Sequence, residues 1–167
     1  MPAPDALQPT FARFVTDLDG PMTIVTVAAD GERAGCLVGF ATATSLRPPR
    51  FLACISRLNH TFGVAARAEG ALVHVAPADR VDLAELFGGQ TGDAVDKLAR
   101  CAWRPGPFGA PLLDGVDAWL AGRIVARLDV GDHVGLLLDP VEVAVADPPA
   151  APLRYRRARA IEPGHPA

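Results

Sequence analysis

The chain has 167 residues, half of them hydrophobic, with 16 Lys and Arg against 19 Asp and Glu and a net charge of −3. That length suits one domain with a sizeable core, and so much apolar material excludes a disordered body. The slight acidity (pI ≈ 5.7) argues against a nucleic-acid binder, and no apolar run approaches the roughly 18 residues needed to span a membrane.

Residues 1–10 are rich in Pro and Ala and read as a loose N-terminal segment, without the basic and apolar regions of a secretory signal. Phe11, Phe14, Val15 and Leu18 then recur at helical spacing, and Gly20-Pro21 stops that amphipathic helix. "MTIVTVAA" (22–29) is a β-branched strand, Asp30-Gly31 a turn, and "CLVGFATATS" (36–45) the partner strand, weakened by Gly39. Pro48-Pro49 makes a rigid corner before a short buried strand, "FLACIS" (51–56). Further on, the patterns predict a helix over 60–70, a strand over 71–76, a helix over 80–89 and a second short helix over 92–103. Two alternating strands follow at 119–128 and 133–146, with Pro140 at an edge or bulge. Helices and strands do not alternate regularly, so the expected fold is mostly β: an antiparallel barrel with a few flanking helices, one domain over 11–159, and a loose tail over 160–167.

Several familiar chemistries are missing. There is no G-x-G-x-x-G after a strand, no Walker loop, no G-x-S-x-G elbow and no C-x-x-C pair. Cys36, Cys54 and Cys101 are odd in number and far apart, which fits reduced thiols in the cytoplasm. A metal site would have to recruit His60, His74 or His133 across the fold, and none is expected. What remains is a set of polar clusters around the double proline. Thr42, Thr44 and Ser45 either satisfy an ordinary β-arch or line a polar pocket at a barrel rim. Just downstream, Arg57 offers a fork of donors suited to a phosphate, and Ser56, Asn59 and Thr61 add neutral ones. A surface loop accounts for the same residues. His133 follows a Gly131-Asp132 turn and either stands in solvent or points into a cleft. The run "RYRRAR" (154–159) is a solvated tail or an edge strand over a subunit or bound anion.

Taken in order, "GCLVGFATATSLRPPRFLACISR" (35–57), "NHT" (59–61), "ALVHVA" (71–76), "LAELF" (83–87), "WRPGPFGAPLLDGVDAWL" (103–120), "GDHVGLLLDPVEV" (131–143) and "PLRYRRAR" (152–159) resemble the flavin reductase-like family with an FMN-binding split barrel. The resemblance spans about residues 11–159. It implies a split antiparallel barrel, a homodimer, FMN or FAD as cofactor, NADH or NADPH as co-substrate, and a partner monooxygenase that receives reduced flavin. It implies that Cys36, Leu37, Val38 and Gly39 run along the flavin and that Thr44 and Ser45 lie on its isoalloxazine or ribityl side. By the same resemblance Ser56 and Arg57 hold the ribityl-phosphate, Phe87 packs near the cofactor, and His133 places the nicotinamide. Leu37 stands where the family often has Thr, and Gly39 where it often has Ser. Those departures keep open a non-catalytic alternative, a flavin- or haem-binding split-barrel dimer.

Overall fold

A computed structural model describes residues 4–164 of the chain. The β-branched run becomes β1 (Thr23–Ala29), and Asp30 (φ 51°) and Gly31 (φ 81°) turn it into β2 (Glu32–Val38). Two successive left-handed residues make the tight hairpin turn that an Asp-Gly pair favours. The β1–β2 ladder ends at Thr23↔Val38. The single partner strand expected over 36–45 is therefore cut in two. Beyond Gly39 the chain abandons β1, the Phe40 carbonyl accepts from the Cys54 N–H at 2.9 Å, and β3 (Ala41–Leu46) pairs with β4 (Pro49–Ser56). The double proline forms the β3–β4 turn, with a cis Arg47–Pro48 peptide, and Thr44 is bulged out where the register shifts.

The strand order β2-β1-β5-β8-β9-β4-β3 is antiparallel throughout, with β5 at Gly70–Val75, β8 at Ala118–Asp129 and β9 at His133–Val145. Consecutive β2 and β3 thus lie at opposite edges of one curled sheet, the split antiparallel barrel that the sequence led us to expect. Pro140 sits beside a register shift in the β8–β9 pair, where its missing N–H costs the ladder least. The interior is filled by Val25, Val27, Cys36, Val38, Ile55, Val73, Leu136 and Leu138.

A second core lies on the outer face of β1 and β2. There α3 (Val81–Gly89) presses Leu83 and Phe87, one turn apart, against Ile24 and Leu113. Buried His74 ties this core together: its Nδ1 donates to the Ile24 carbonyl at 3.0 Å, and its Nε2 accepts from the Leu113 N–H at 3.2 Å. Burial brings the imidazole down to about 4, so it is neutral, as those two bonds require.

Four expectations fail. The second short helix over 92–103 is absent except for one turn at Leu98–Arg100, because the Asp96 carboxylate takes the N–H groups of Leu98 and Ala99 and ends the preceding turn. Trp103 instead opens β6 (Trp103–Pro105), which pairs with β7 (Pro111–Leu113). The "RYRRAR" run is neither free tail nor edge strand: Tyr155–Ala158 form a short helix, α4, and the Gly164 N–H reaches back to the Gly88 carbonyl. Residues 160–164, expected to be loose, follow α4 with Ile161 packed on the second core; 165–167 lie outside the described residues. Finally, α1 spans Pro4–Leu18, so residues 4–10 are helical rather than loose, and only 1–3 fall outside the description. Its apolar face (Leu7, Phe11, Phe14 and Leu18) is at least half exposed at every position. Its C-terminal end is held where Arg156 donates to the Thr16 carbonyl and pairs with Asp17. The remaining helix, α2 (His60–Ala65), is N-capped by the Asn59 side chain. No helix is long and apolar enough to cross a membrane.

Candidate functional site

A cavity of about 350 Å³ opens where the chain changes partners between β2 and β3. Leu37, Gly39 and Phe40 form one side, Ser56 and His133 another, and Tyr155 of α4 with Arg159 just beyond that helix close the third. Two of these neighbours are brought together by strand register alone: Ser56 and His133, far apart in sequence, are directly opposite each other in the β4–β9 ladder.

The backbone of β2 matters as much as its side chains. β2 is an edge strand. The Gly35 carbonyl accepts from Lys97 Nζ at 3.2 Å and so points away from β1. In an antiparallel strand each residue's N–H and C=O share one side, and the side alternates along the chain. Leu37 therefore also turns its peptide groups outward, at the cavity, and Gly39 continues the edge. Gly39 lets this edge pass close to α4: a Cβ there would stand 3.2 Å from the Tyr155 ring. Gly88 does the same for the Leu37 side chain, 2.8 Å from where a Cβ would lie.

An aromatic wall continues that edge. The Phe40 ring meets His133 edge-on at 5.3 Å and lies nearly parallel to Tyr155 at 6.4 Å. His133 is oriented by its neighbour: Nδ1 is 2.6 Å from Asp132 Oδ1, and that hydrogen bond holds the Asp132 carboxyl below the usual carboxylate range. The arrangement sets the proton on Nδ1 and leaves Nε2 for another partner. Two thiols line the cavity, but burial pushes Cys36 up to about 11 and raises Cys54, so neither offers a ready thiolate. Among the described residues no group of three His, Cys, Asp or Glu is placed to hold a metal ion. The site thus has apolar and aromatic walls, a hydrogen-bonding backbone edge and no activated nucleophile. It suits a planar molecule with a polar rim.

Of the sequence-predicted residues, the fold gathers Cys36, Leu37, Val38, Gly39, Ser56 and His133 around this cavity. It does not gather the others. Thr44 and Ser45 lie along β3 away from the cavity. Arg57 is turned to the β8–β9 turn, where it donates to the Gly131 carbonyl and pairs with Asp129 at 3.0 Å. Phe87 is 1% exposed and belongs to the second core, under Gly35. The α3 pattern already marked Phe87 as core-facing, and that role wins. Reading the sequence missed Phe40, Cys54 and Ile161, and read Tyr155 as part of a tail or edge strand. A Gly-Phe pair inside a presumed continuous strand was the one signal that the strand breaks there.

Comparison with known proteins gives a consistent picture. The model of the flavin reductase like domain matches residues 15–162. The chain is 31% identical over 149 residues to the FMN reductase (NADH) RutF of Methylorubrum extorquens, covering 89% of this chain and 72% of the relative. It is 28% identical over 142 residues to the 4-hydroxyphenylacetate 3-monooxygenase reductase component of Pseudomonas aeruginosa, covering 84% and 83%. Among solved structures, the flavin reductase domain protein from Arthrobacter sp. FB24 superposes with a TM-score of 0.79 at 25% identity, over 90% of this chain and 91% of that one. The NADH:FAD oxidoreductase SgcE6 of Streptomyces globisporus C-1027 has the same fold, with a TM-score of 0.78 at 24% identity over 88% and 87%.

Proposed function

The chain belongs to the flavin reductase-like family, and from that premise we propose that it is an NAD(P)H-dependent flavin reductase that supplies reduced flavin to a partner monooxygenase. The observation that carries this reading is the open β2 edge at Leu37 and Gly39, which runs on into the Phe40–Tyr155 aromatic pair at one cavity. An isoalloxazine is flat, apolar on its faces and rimmed on one side by alternating donors and acceptors, which a strand edge can match. Gly39 itself adds no side chain to the cavity, and the Tyr155 ring packs against it at the cavity wall. The cavity volume lies within the usual range of roughly 300–1,000 Å³ for small-ligand pockets.

When bound, the flavin supplies the chemistry: it accepts a hydride, two electrons and one proton, from the dihydronicotinamide, which leaves as the oxidised cation. The protein's own work is placement. Leu37 and Gly39 offer peptide groups to the ring edge, Phe40 and Tyr155 bound it, and His133, steadied by Asp132, presents Nε2 to a second planar molecule. Ser56 lies at the rim of the cavity, where its hydroxyl is available to the polar part of a bound flavin. No general acid or base is needed for hydride transfer, in keeping with a cavity that holds no carboxylate pair. Holding two rings in contact is worth several orders of magnitude by orientation alone.

The relatives are named for NADH, FMN and FAD, so FMN with NADH is the first pair to try. Titration of the purified protein with FMN, then FAD, followed by anaerobic NADH and NADPH, tests the reading. A saturable perturbed flavin band that bleaches on adding a dihydronicotinamide supports it, and His133→Ala should slow the bleaching while leaving flavin affinity within about threefold. Binding with no bleaching by either nucleotide would favour the carrier alternative. We further infer a homodimer, because α1 presents an exposed apolar face that its own chain leaves uncovered, and a reducing cytoplasm, which three free cysteines suit.

A further inference from the structure

Among the described residues, Lys97 is the one buried cationic side chain, 5% exposed and set just behind the strand that lines the cavity. Two main-chain carbonyls hold its Nζ, that of Gly35 at 3.2 Å and that of Phe87 at 3.0 Å. The Phe87 carbonyl belongs to the last turn of α3, the negative end of that helix, and the Phe87 ring lies 5.8 Å from Nζ. All three neighbours are electron-rich and uncharged. They suit an ammonium but do not neutralise it, and leaving a full positive charge inside a protein is costly without a second purpose. A structural pin between α3 and β2 would need only a neutral donor.

Where the charge sits suggests the purpose. Lys97 caps the outward edge of β2 at Gly35, and the same edge becomes the wall of the cavity at Leu37, two residues or about 7 Å farther along. A ring docked on Leu37 and Gly39 therefore lies along the strand from this ammonium, which with Gly35 also borders a second cavity of about 430 Å³. The thiol between them, Cys36, is neutral and does not offset the charge.

We propose that Lys97 is a positioning residue for the site's electrostatics: its ammonium, fixed on the β2 edge, favours the negatively charged reduced flavin over the neutral oxidised one and so raises the potential of the bound cofactor. This rests on the cavity being the flavin site. Hydride transfer brings two electrons and one proton to a neutral flavin, so the product carries one negative charge, and the adjacent ammonium attracts it. At the separation along the strand and an effective dielectric near 20, the preference for the reduced form is roughly tenfold or more. Because a potential difference is a ratio of two affinities, tenfold corresponds to about 30 mV for a two-electron couple.

The test uses the whole protein with FMN. Lys97→Gln keeps N–H donors for the Gly35 and Phe87 carbonyls but removes the charge, and Lys97→Arg restores it. Equilibrium dye titrations should find the bound-FMN potential lowered by about 30 mV in Lys97→Gln, through roughly tenfold weaker binding of reduced FMN with oxidised FMN bound within about threefold of wild type. Lys97→Arg should return most of the shift. Equal potentials in all three proteins, or equal weakening of both flavin forms, would reduce Lys97 to a structural pin and overturn the proposal. Should Lys97→Gln fail to fold, linkage supplies a second arm in the unaltered protein: coupling is reciprocal, so the ¹³Cε titration of Lys97 must move up by about one pH unit when bound FMN is reduced. An unmoved titration overturns the proposal as firmly. Absence of any FMN or FAD binding to wild type would instead bring down the flavin reading itself, a result distinct from binding with a potential indifferent to Lys97.

Discussion

The outward edge of β2 is used in two ways within five residues. At Gly35 the protein closes it with its own chain, Lys97 taking the carbonyl and Phe87 packing over the glycine. At Leu37 and Gly39 the same edge runs into a cavity walled by Phe40 and Tyr155. Unpaired strand edges are a liability that proteins usually cover. One left open inside a pocket, next to one that the chain closes, is the stretch we propose a flavin covers.

Substitutions can break that contrast. The largest effect is expected at the open stretch. Gly39→Leu would drive a side chain at the Tyr155 ring and into the slot, lowering FMN affinity by about 100-fold or more, about 3 kcal/mol, with little change in thermal unfolding. At the closed stretch the outcome should invert: Gly35→Ala places a Cβ 2.8 Å from the Phe87 ring, so stability should fall by about 1–3 kcal/mol in urea denaturation while flavin binding, corrected for the unfolded fraction, changes little. Equal binding losses at both glycines would erase the distinction.

The second core behind the closed stretch predicts a pH signature of similar size. His74 is neutral and buried with a folded value of about 4, well below that of an exposed imidazole. The unfolded chain therefore takes up the proton first. The stabilisation is fully present above about pH 6.5 and is lost as pH falls toward 4, reaching about 3 kcal/mol over that window. Denaturant midpoints across pH 4–7 would read it, and His74→Asn should flatten the slope. Outside the site, Phe11→Glu with Phe14→Glu should shift sedimentation from dimer to monomer if α1 is covered by a second copy. The smallest change expected is Leu37→Thr, which adds a hydroxyl beside the open edge and should tighten flavin binding by at most about tenfold, the worth of one net hydrogen bond.

Much of this fold was legible in the sequence. The β-branched runs, the Asp30-Gly31 turn and the alternation in β8 and β9 each report local rules, and they sufficed for an antiparallel barrel. The change of partner at Gly39 was marked in the sequence only by the glycine itself, because a strand that changes partner keeps the same dihedral preference on both sides; the sheet order reveals it. The site divided along the same line. Residues on β2 and at facing strand ends, such as Ser56 and His133, were found through the family pattern. Phe40 and Tyr155 required knowledge of which elements meet, and Lys97 was hidden in a segment whose helical periodicity Asp96 interrupts. Phe87 shows the opposite error: a residue at a promising place in the pattern whose apolar ring was simply needed in the core.

The central claim, that the open half of the β2 edge takes the flavin, is tested most directly by amide chemical-shift mapping with ¹⁵N-labelled protein and FMN. The account predicts saturable shifts at Leu37, Gly39, Phe40 and His133, with the amide of Arg33, on the closed half, nearly unmoved. The second cavity of about 430 Å³ lies farther back along the same edge of β2, lined by Arg33, Gly35, His60, Lys97 and Trp103. Shifts gathered there, with Leu37 and Gly39 silent, would contradict the account.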